Sequence, residues 1–218
     1  MRGKRFRALA LAAALIGWNG WVNPRVPPQW HPLPHAALGA ALVAATRAPL
    51  GLRPPALWPG LRFGSAAVAV VGAGVAVATA VPAVRTAMAG RELPGSAARW
   101  LLLGIPLGTV WSEEAAFRAA LGGLSAEAFG PTRGGLLQAA AFGLSHYGVA
   151  VDGVQERSGR AAGAAVLGTV AVTGVAGWIF DRLYRRSGSL AASMLAHLAI
   201  NEAGAVAALA VRRRARSS

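Results

Sequence analysis

The chain has 218 residues, 55% of them hydrophobic, only 14% charged and none cysteine. A soluble domain carries roughly a quarter charged residues, so an ordinary soluble enzyme is excluded, as are disulfides, thiolate zinc sites and a cysteine nucleophile. The net charge is +14, from 22 basic residues of which Lys4 is the single lysine. The arginines cluster at the ends of apolar runs and in the short loops between them, where they set topology and meet anionic headgroups; nucleic acid is not an expected partner.

In chain order, seven apolar segments stand out, at about 8–22, 36–52, 64–84, 98–121, 134–151, 161–181 and 188–211. Each approaches the ~20 residues that a helix needs to cross a bilayer. The first follows Arg2, Lys4, Arg5 and Arg7 and resembles the basic and apolar parts of a signal peptide, but no small-residue cleavage site follows. It is expected to remain as the first helix, with Trp18-Asn19-Gly20-Trp21 as an interfacial aromatic anchor. The second is interrupted at Thr46-Arg47-Ala48-Pro49, and the Pro-rich stretches from Pro24 to Pro34 and from Pro54 to Pro59 read as loops at headgroup level. His31 and His35 fall in or beside the first of these loops and are expected to be interfacial. Gly104/Gly108 and Gly159/Gly163 have the small-xxx-small spacing of close helix contacts. Asp181 with Arg182, Arg185 and Arg186 reads as a helix end at a membrane boundary.

Both tails are basic and favour the cytoplasm, which asks for an even number of spans. Seven spans would put the tails on opposite sides, so either the second segment does not cross, giving six, or one more does, giving eight. The expected fold is all-α: a polytopic transmembrane bundle of about seven helices (roughly six to eight) enclosing a polar cavity. Residues 1–218 are expected to form a single integral membrane domain. The composition, rich in Arg, Ala and Gly, points to a GC-rich genome and a bacterial plasma membrane.

Against that apolar background a few polar residues stand out. Glu113 and Glu114 lie side by side between Leu101–Trp111 and Ala115-Ala116-Phe117-Arg118, although the chain has only 8 acidic residues. A carboxylate at bilayer depth costs on the order of 2.5–3.5 kcal/mol even on lenient scales, which makes it a functional candidate by default. On a helix Glu114 and Arg118 are i and i+4 and can pair, while Glu113 points about 100° away. Pro106, two turns earlier, can kink that helix and open room for water. Phe142 and His146 share a face of the fifth segment, and His197 and Asn201 share a face of the seventh. Glu202 reads as an acid lining a helix interface or cavity, and Ser145 is not expected to be catalytic, since a serine nucleophile needs a base and a third orienting group.

A carboxylate, two imidazoles, an amide and a guanidinium can together hydrolyse an amide. Glutamate or histidine can take a proton from water, and His or Asn can stabilise the oxyanion. Buried Glu and His could equally form the relay of a proton-coupled transporter, although the paired repeats and broken helices of such proteins do not stand out. A non-catalytic membrane binding or immunity protein is the other alternative.

The segments Ser112-Glu-Glu-Ala-Ala-Phe-Arg118, Phe142-Gly-Leu-Ser-His146 and His197-Leu-Ala-Ile-Asn201 resemble, in order, the Glu-Glu-x-x-x-Arg, Phe-x-x-x-His and His-x-x-x-Asn motifs of the CPBP intramembrane proteases. That family comprises the CAAX prenyl endopeptidases of the Rce type and the bacterial Abi or bacteriocin-processing proteins. The tract Gly177–Leu190 is similar to the family's lead-in to the third motif, so the resemblance covers about residues 98–205; residues before it carry nothing specific. It implies an intramembrane endopeptidase acting on a membrane-associated protein or peptide. Glu113 and His146 would activate water, His197 and Asn201 would stabilise the oxyanion, and Glu114, Arg118 and Phe142 would support the site. A metal-free glutamate mechanism is the favoured form. The family's older description as metalloproteases leaves zinc on Glu113, His146 and His197 as the alternative.

Overall fold

The computed structural model describes residues 2–27, 30–90, 95–154 and 159–217, and these are almost entirely helical with no strand among them. Pro28 and Gln29 of the expected Pro-rich loop lie outside the described residues. Helix α1 spans Arg2–Gly17 and continues into a wide π-turn at Trp18–Val22. Helix α2 (Leu33–Thr46) stops where its sequence breaks: Arg47 adopts the left-handed conformation (φ 50°), with Pro49 just beyond. Helix α3 (Leu57–Ala80) ends at an extended Val81, as the residue before a proline prefers, and α4 (Pro82–Gly90) restarts at Pro82.

The central helical run begins with α5 (Ala97–Arg99) and proceeds through π-helical stretches at Trp100–Trp111 and Glu114–Leu121 into α6 (Gly122–Phe129). Helix α7 (Pro131–Ser145) is followed by α8 (Tyr147–Asp152), then α9 (Gly159–Ser187) and α10 (Leu190–Ser217).

Three helices, Leu57–Ala80, Gly159–Ser187 and Leu190–Arg214, are long and apolar enough to cross a membrane, and Leu33–Thr46 is a shorter apolar helix. Outward-facing Val70, Val77, Leu167 and Val172 are each at least 70% exposed, as lipid-facing side chains would be. The expected fifth segment is not continuous. Helix α7 ends at Ser145, with His146 as its C-cap at φ −94°, ψ 4°. The sixth runs further than its sequence suggests: Asp181 is 1% exposed inside α9, where its carboxylate accepts two bonds from Arg185 Nε at 2.7 and 2.9 Å. Arg185 and Arg186 do fall in the last turn of α9, which ends at Ser187, while Asp181 lies one turn earlier and is buried. Arg185 also donates to the Gly122 carbonyl (3.0 Å), tying α9 to the start of α6.

Of the two glycine pairs that the spacing suggests, the first makes a close contact at Gly108, where a Cβ would lie 2.7 Å from Pro32 Cβ at the start of α2, and the second does not. Gly159 and Gly163 face open space, whereas a Cβ on Gly64 would meet Leu195 of α10 at 2.7 Å, and one on Gly177 would meet the Phe142 ring of α7 at 2.8 Å. The central run is flanked by α1 and α2, with α10 against it and α3 packed along α10, while α7 packs on α9. A core of Ala12, Leu15, Ala116, Phe117, Leu121, Ala141 and Phe142 joins α1, the central run and α7.

Candidate active site

The two adjacent glutamates reach the same imidazole from opposite sides. Their backbone carries them on the central run at the junction of its two π-helical stretches, a widened geometry that recurs at functional sites and has no signature in hydrophobic periodicity. His197, on α10 and 6% exposed, donates through Nδ1–H to Glu114 Oε1 at 2.8 Å. Its Nε2 lies 3.8 Å from Glu113 Oε2, beyond direct hydrogen-bonding distance.

Glu114 is fully buried and has a second partner. Arg118 Nε is 3.4 Å from Glu114 Oε2, with both side chains at 0% exposure. The guanidinium lies 3.9 Å from the centre of the Phe142 ring and 5.0 Å from that of Phe180, so two aromatic faces help to stabilise its charge. Phe180 also stacks on His197, with ring centres 4.9 Å apart at 22°. Two anions, a cation and two aromatic rings thus fix the orientation of one imidazole. Because its Nδ1–H is committed to Glu114, the reactive edge is Nε2, facing Glu113.

His146 packs edge-on against Phe142, with ring centres 4.7 Å apart at 66°. It donates through Nδ1–H to the Phe142 carbonyl (2.8 Å), leaving Nε2 as the acceptor of the neutral ring. No carboxylate lies within ion-pairing distance of it among the described residues. Ser145 Oγ–H donates to that same carbonyl (2.8 Å) and accepts from the Asn19 amide (3.4 Å). The Ser145 hydroxyl also lies 3.3 Å from His146 Nδ1, but that nitrogen's hydrogen and the hydroxyl hydrogen both go to the Phe142 carbonyl. Asn201 donates one amide hydrogen to the His197 carbonyl (3.1 Å), one turn back along α10.

The structure thus gathers Glu113, Glu114, Arg118, Phe142 and His197 and brings His146 against the Phe142 ring. Among the described residues no three His, Asp or Glu side chains are grouped so as to hold a metal ion. Glu113 and His197 approach each other, but His146 does not join them. As placed, the three do not fit a zinc-binding set.

The first 95 residues, unspecific in sequence, contribute to the site. A small cavity of about 20 Å³ is lined by Glu113 and Ser112 of the central run, Trp18 and Asn19 after α1, and His35 of α2. That is room for about one water. Trp21 is 70% exposed, as an interfacial anchor would be, but Trp18 and Asn19 line this cavity; His35 is buried rather than interfacial. Only a histidine one turn into an apolar helix hinted at this, and such a signal is shared by many structural histidines.

Gly177 sets the depth of the Phe142 ring. A methyl there would fall 2.8 Å from Phe142 Cδ1, and the ring cannot retreat because Arg118 lies on its face and Phe117 packs edge-on at 5.1 Å. Gly177→Ala is expected to destabilise the protein by about 1–3 kcal/mol, the usual range for overpacking. The check is thermal unfolding in detergent, with Gly163→Ala, which meets open space, as the unperturbed control.

The sequence profile of the type II CAAX prenyl endopeptidase Rce1-like family matches residues 95–203. No curated protein and no solved structure matches the chain.

Proposed function

The chain belongs to the type II CAAX prenyl endopeptidase Rce1-like family, and from that premise we propose that it is a glutamate-type intramembrane endopeptidase using Glu113 as its base. The supporting observation is the clamping of His197 between Glu114 and Glu113, which turns its Nε2 edge toward the carboxylate beside the cavity. Membership of a protease family together with three long apolar helices makes this a membrane protein with a peptide or protein substrate. The proposed membrane domain also includes α1, α2, the central run and α7, for about seven spans in all.

In the proposed reaction Glu113 accepts a proton from water as the oxygen attacks the scissile carbonyl. His146 Nε2 is the second acceptor available to that water. The oxyanion forms against His197, which in its imidazolium form donates through both nitrogens, to Glu114 and to the oxyanion. Asn201, with its remaining amide hydrogen, is the second donor. Glu113 then returns the proton to the leaving nitrogen as the C–N bond breaks. Glu114 and Arg118 take no proton; they hold His197 in register, the kind of positioning on which reaction geometry depends.

The proposed substrate is a bacterial membrane-associated peptide, such as a bacteriocin leader or signalling peptide, presented near anionic headgroups. We propose that no metal takes part. Purified protein reconstituted with such a peptide is expected to keep its full cleavage rate after chelation and removal of bound metal. Stoichiometric zinc whose removal abolishes activity, and whose return restores it, would defeat this mechanism.

A further inference from the structure

His35 lies outside the region that the family profile matches, yet it shares a wall with Glu113. It is 4% exposed, and neither ring nitrogen has a hydrogen-bond partner within the protein. A buried polar group in that state costs about 1–3 kcal/mol, so it calls for a ligand. Glu113 Oε2, on the same cavity, is also buried without a hydrogen bond. A site for one water needs two to four polar partners, and Glu113, His35, Asn19 and Ser112 supply them.

The helix carrying His35 is fixed to the turn carrying Glu113. Trp111 Nε1–H donates to the Ala36 carbonyl at 3.1 Å, bonding the residue after His35 to a residue two before Glu113. One turn along α2, a Cβ on Gly39 would lie 3.2 Å from both Ser112 Cα and Ala115 Cβ, so the two backbones are as close as glycine allows. The imidazole is further confined by the edge of Trp18 at 5.8 Å and by the His31 ring at 4.6 Å. A side chain held this firmly yet unpartnered in the protein is preorganised toward the cavity.

We propose that His35 is a catalytic residue that holds the attacking water from the side opposite His197. The inference rests on Glu113 being the base. One O–H of the water points to Glu113 and is transferred as the new C–O bond forms. A ring N–H of His35 donates to one lone pair of the water oxygen, which turns the other lone pair toward the carbonyl and leaves the second O–H to His146 Nε2. His35 ends the cycle unchanged, and the proton taken by Glu113 leaves on the amine nitrogen.

The test is single-turnover peptide cleavage in proteoliposomes by His35→Ala, His35→Phe and Glu113→Gln. His35→Ala is expected to lower the rate about 10- to 100-fold at saturating substrate, within the range for a group that positions or polarises the nucleophile. Added imidazole is expected to restore at least about a third of the loss on a logarithmic scale, since it can enter the space vacated. His35→Phe, which keeps the bulk and removes both nitrogens, is expected to be as slow and not to respond to imidazole. A purely structural role predicts no rescue, so a slow His35→Ala protein that keeps its unfolding midpoint and ignores imidazole overturns the proposal. An undiminished rate in His35→Phe does so even if His35→Ala fails to fold. Inactive Glu113→Gln beside a fully active His35 variant removes this inference and leaves the glutamate reading standing; active Glu113→Gln removes both.

Discussion

Glu113→Gln is expected to cut the cleavage rate at saturating substrate by about 10³-fold or more, near the upper part of the range for general-base catalysis. The fold is expected to survive. The Glu113 side chain is 17% exposed against 0% for Glu114, and its removal strands no buried cation, because Arg118 and His197 Nδ1 both have Glu114 as their near partner. Glutamine keeps the shape of the cavity wall and loses only the capacity to accept a proton. Since His146 and Glu113 are proposed to serve one water, Glu113→Gln combined with His146→Ala is expected to be scarcely slower than Glu113→Gln alone, as for residues that act as a unit. Single-turnover rates of the two single variants and the double variant decide the matter. A Glu113→Gln protein retaining more than about a tenth of wild-type rate is incompatible with a general-base role.

Much of this site was legible because charge is so expensive in an apolar chain. The adjacent glutamates, Arg118 one turn on, and the two imidazole-bearing segments are conspicuous for that reason, and helical spacing alone pairs Glu114 with Arg118, as observed at 3.4 Å. The same spacing missed that Glu114 has a second partner in His197, 83 residues away. Contacts across helices depend on which faces meet, and periodicity is silent on that. The π-helical widening of Trp100–Trp111 and Glu114–Leu121 is likewise illegible, since it changes backbone bonding and not composition. The Asp181 cluster was legible only in part: Arg185 and Arg186 do mark the end of α9, but the burial of Asp181 was not foreseen. Next to three arginines Asp181 looks like a boundary, yet a Cβ at Gly135 would lie 2.9 Å from its Oδ2, so a glycine on another helix admits the carboxylate to the interior. His35 and Asn19 were missed because one isolated polar residue beside a Pro-rich or Trp-rich stretch has an ordinary interfacial explanation, and only the cavity they share with Glu113 distinguishes them.

Arg118→Met is expected to be the most destabilising single change at the site. Removing one partner of a buried ion pair typically costs about 3–5 kcal/mol, because the remaining charge stays desolvated. Here the stranded group would be Glu114, fully buried, with His197 and the uncharged Ser193 hydroxyl as its remaining near partners. None of the three guanidinium nitrogens is in hydrogen-bonding geometry, so Arg118 is held by the carboxylate at 3.4 Å and the rings of Phe142 and Phe180, not by directional bonds. Lysine would not replace it, since its compact ammonium lacks the flat face that stacks on an aromatic ring. The coupling can be isolated with Glu114→Gln. Each single variant is expected to lower the unfolding midpoint, whereas Arg118→Met with Glu114→Gln is expected to be more stable than Arg118→Met alone, because no unpaired charge then remains. Activity should not follow stability: the double variant has lost the carboxylate that orients His197 and is expected to remain inactive even where it refolds. Equal midpoints for the double variant and Arg118→Met would mean that the two charges are not coupled, and full activity in the double variant would mean that His197 does not depend on Glu114 for its orientation.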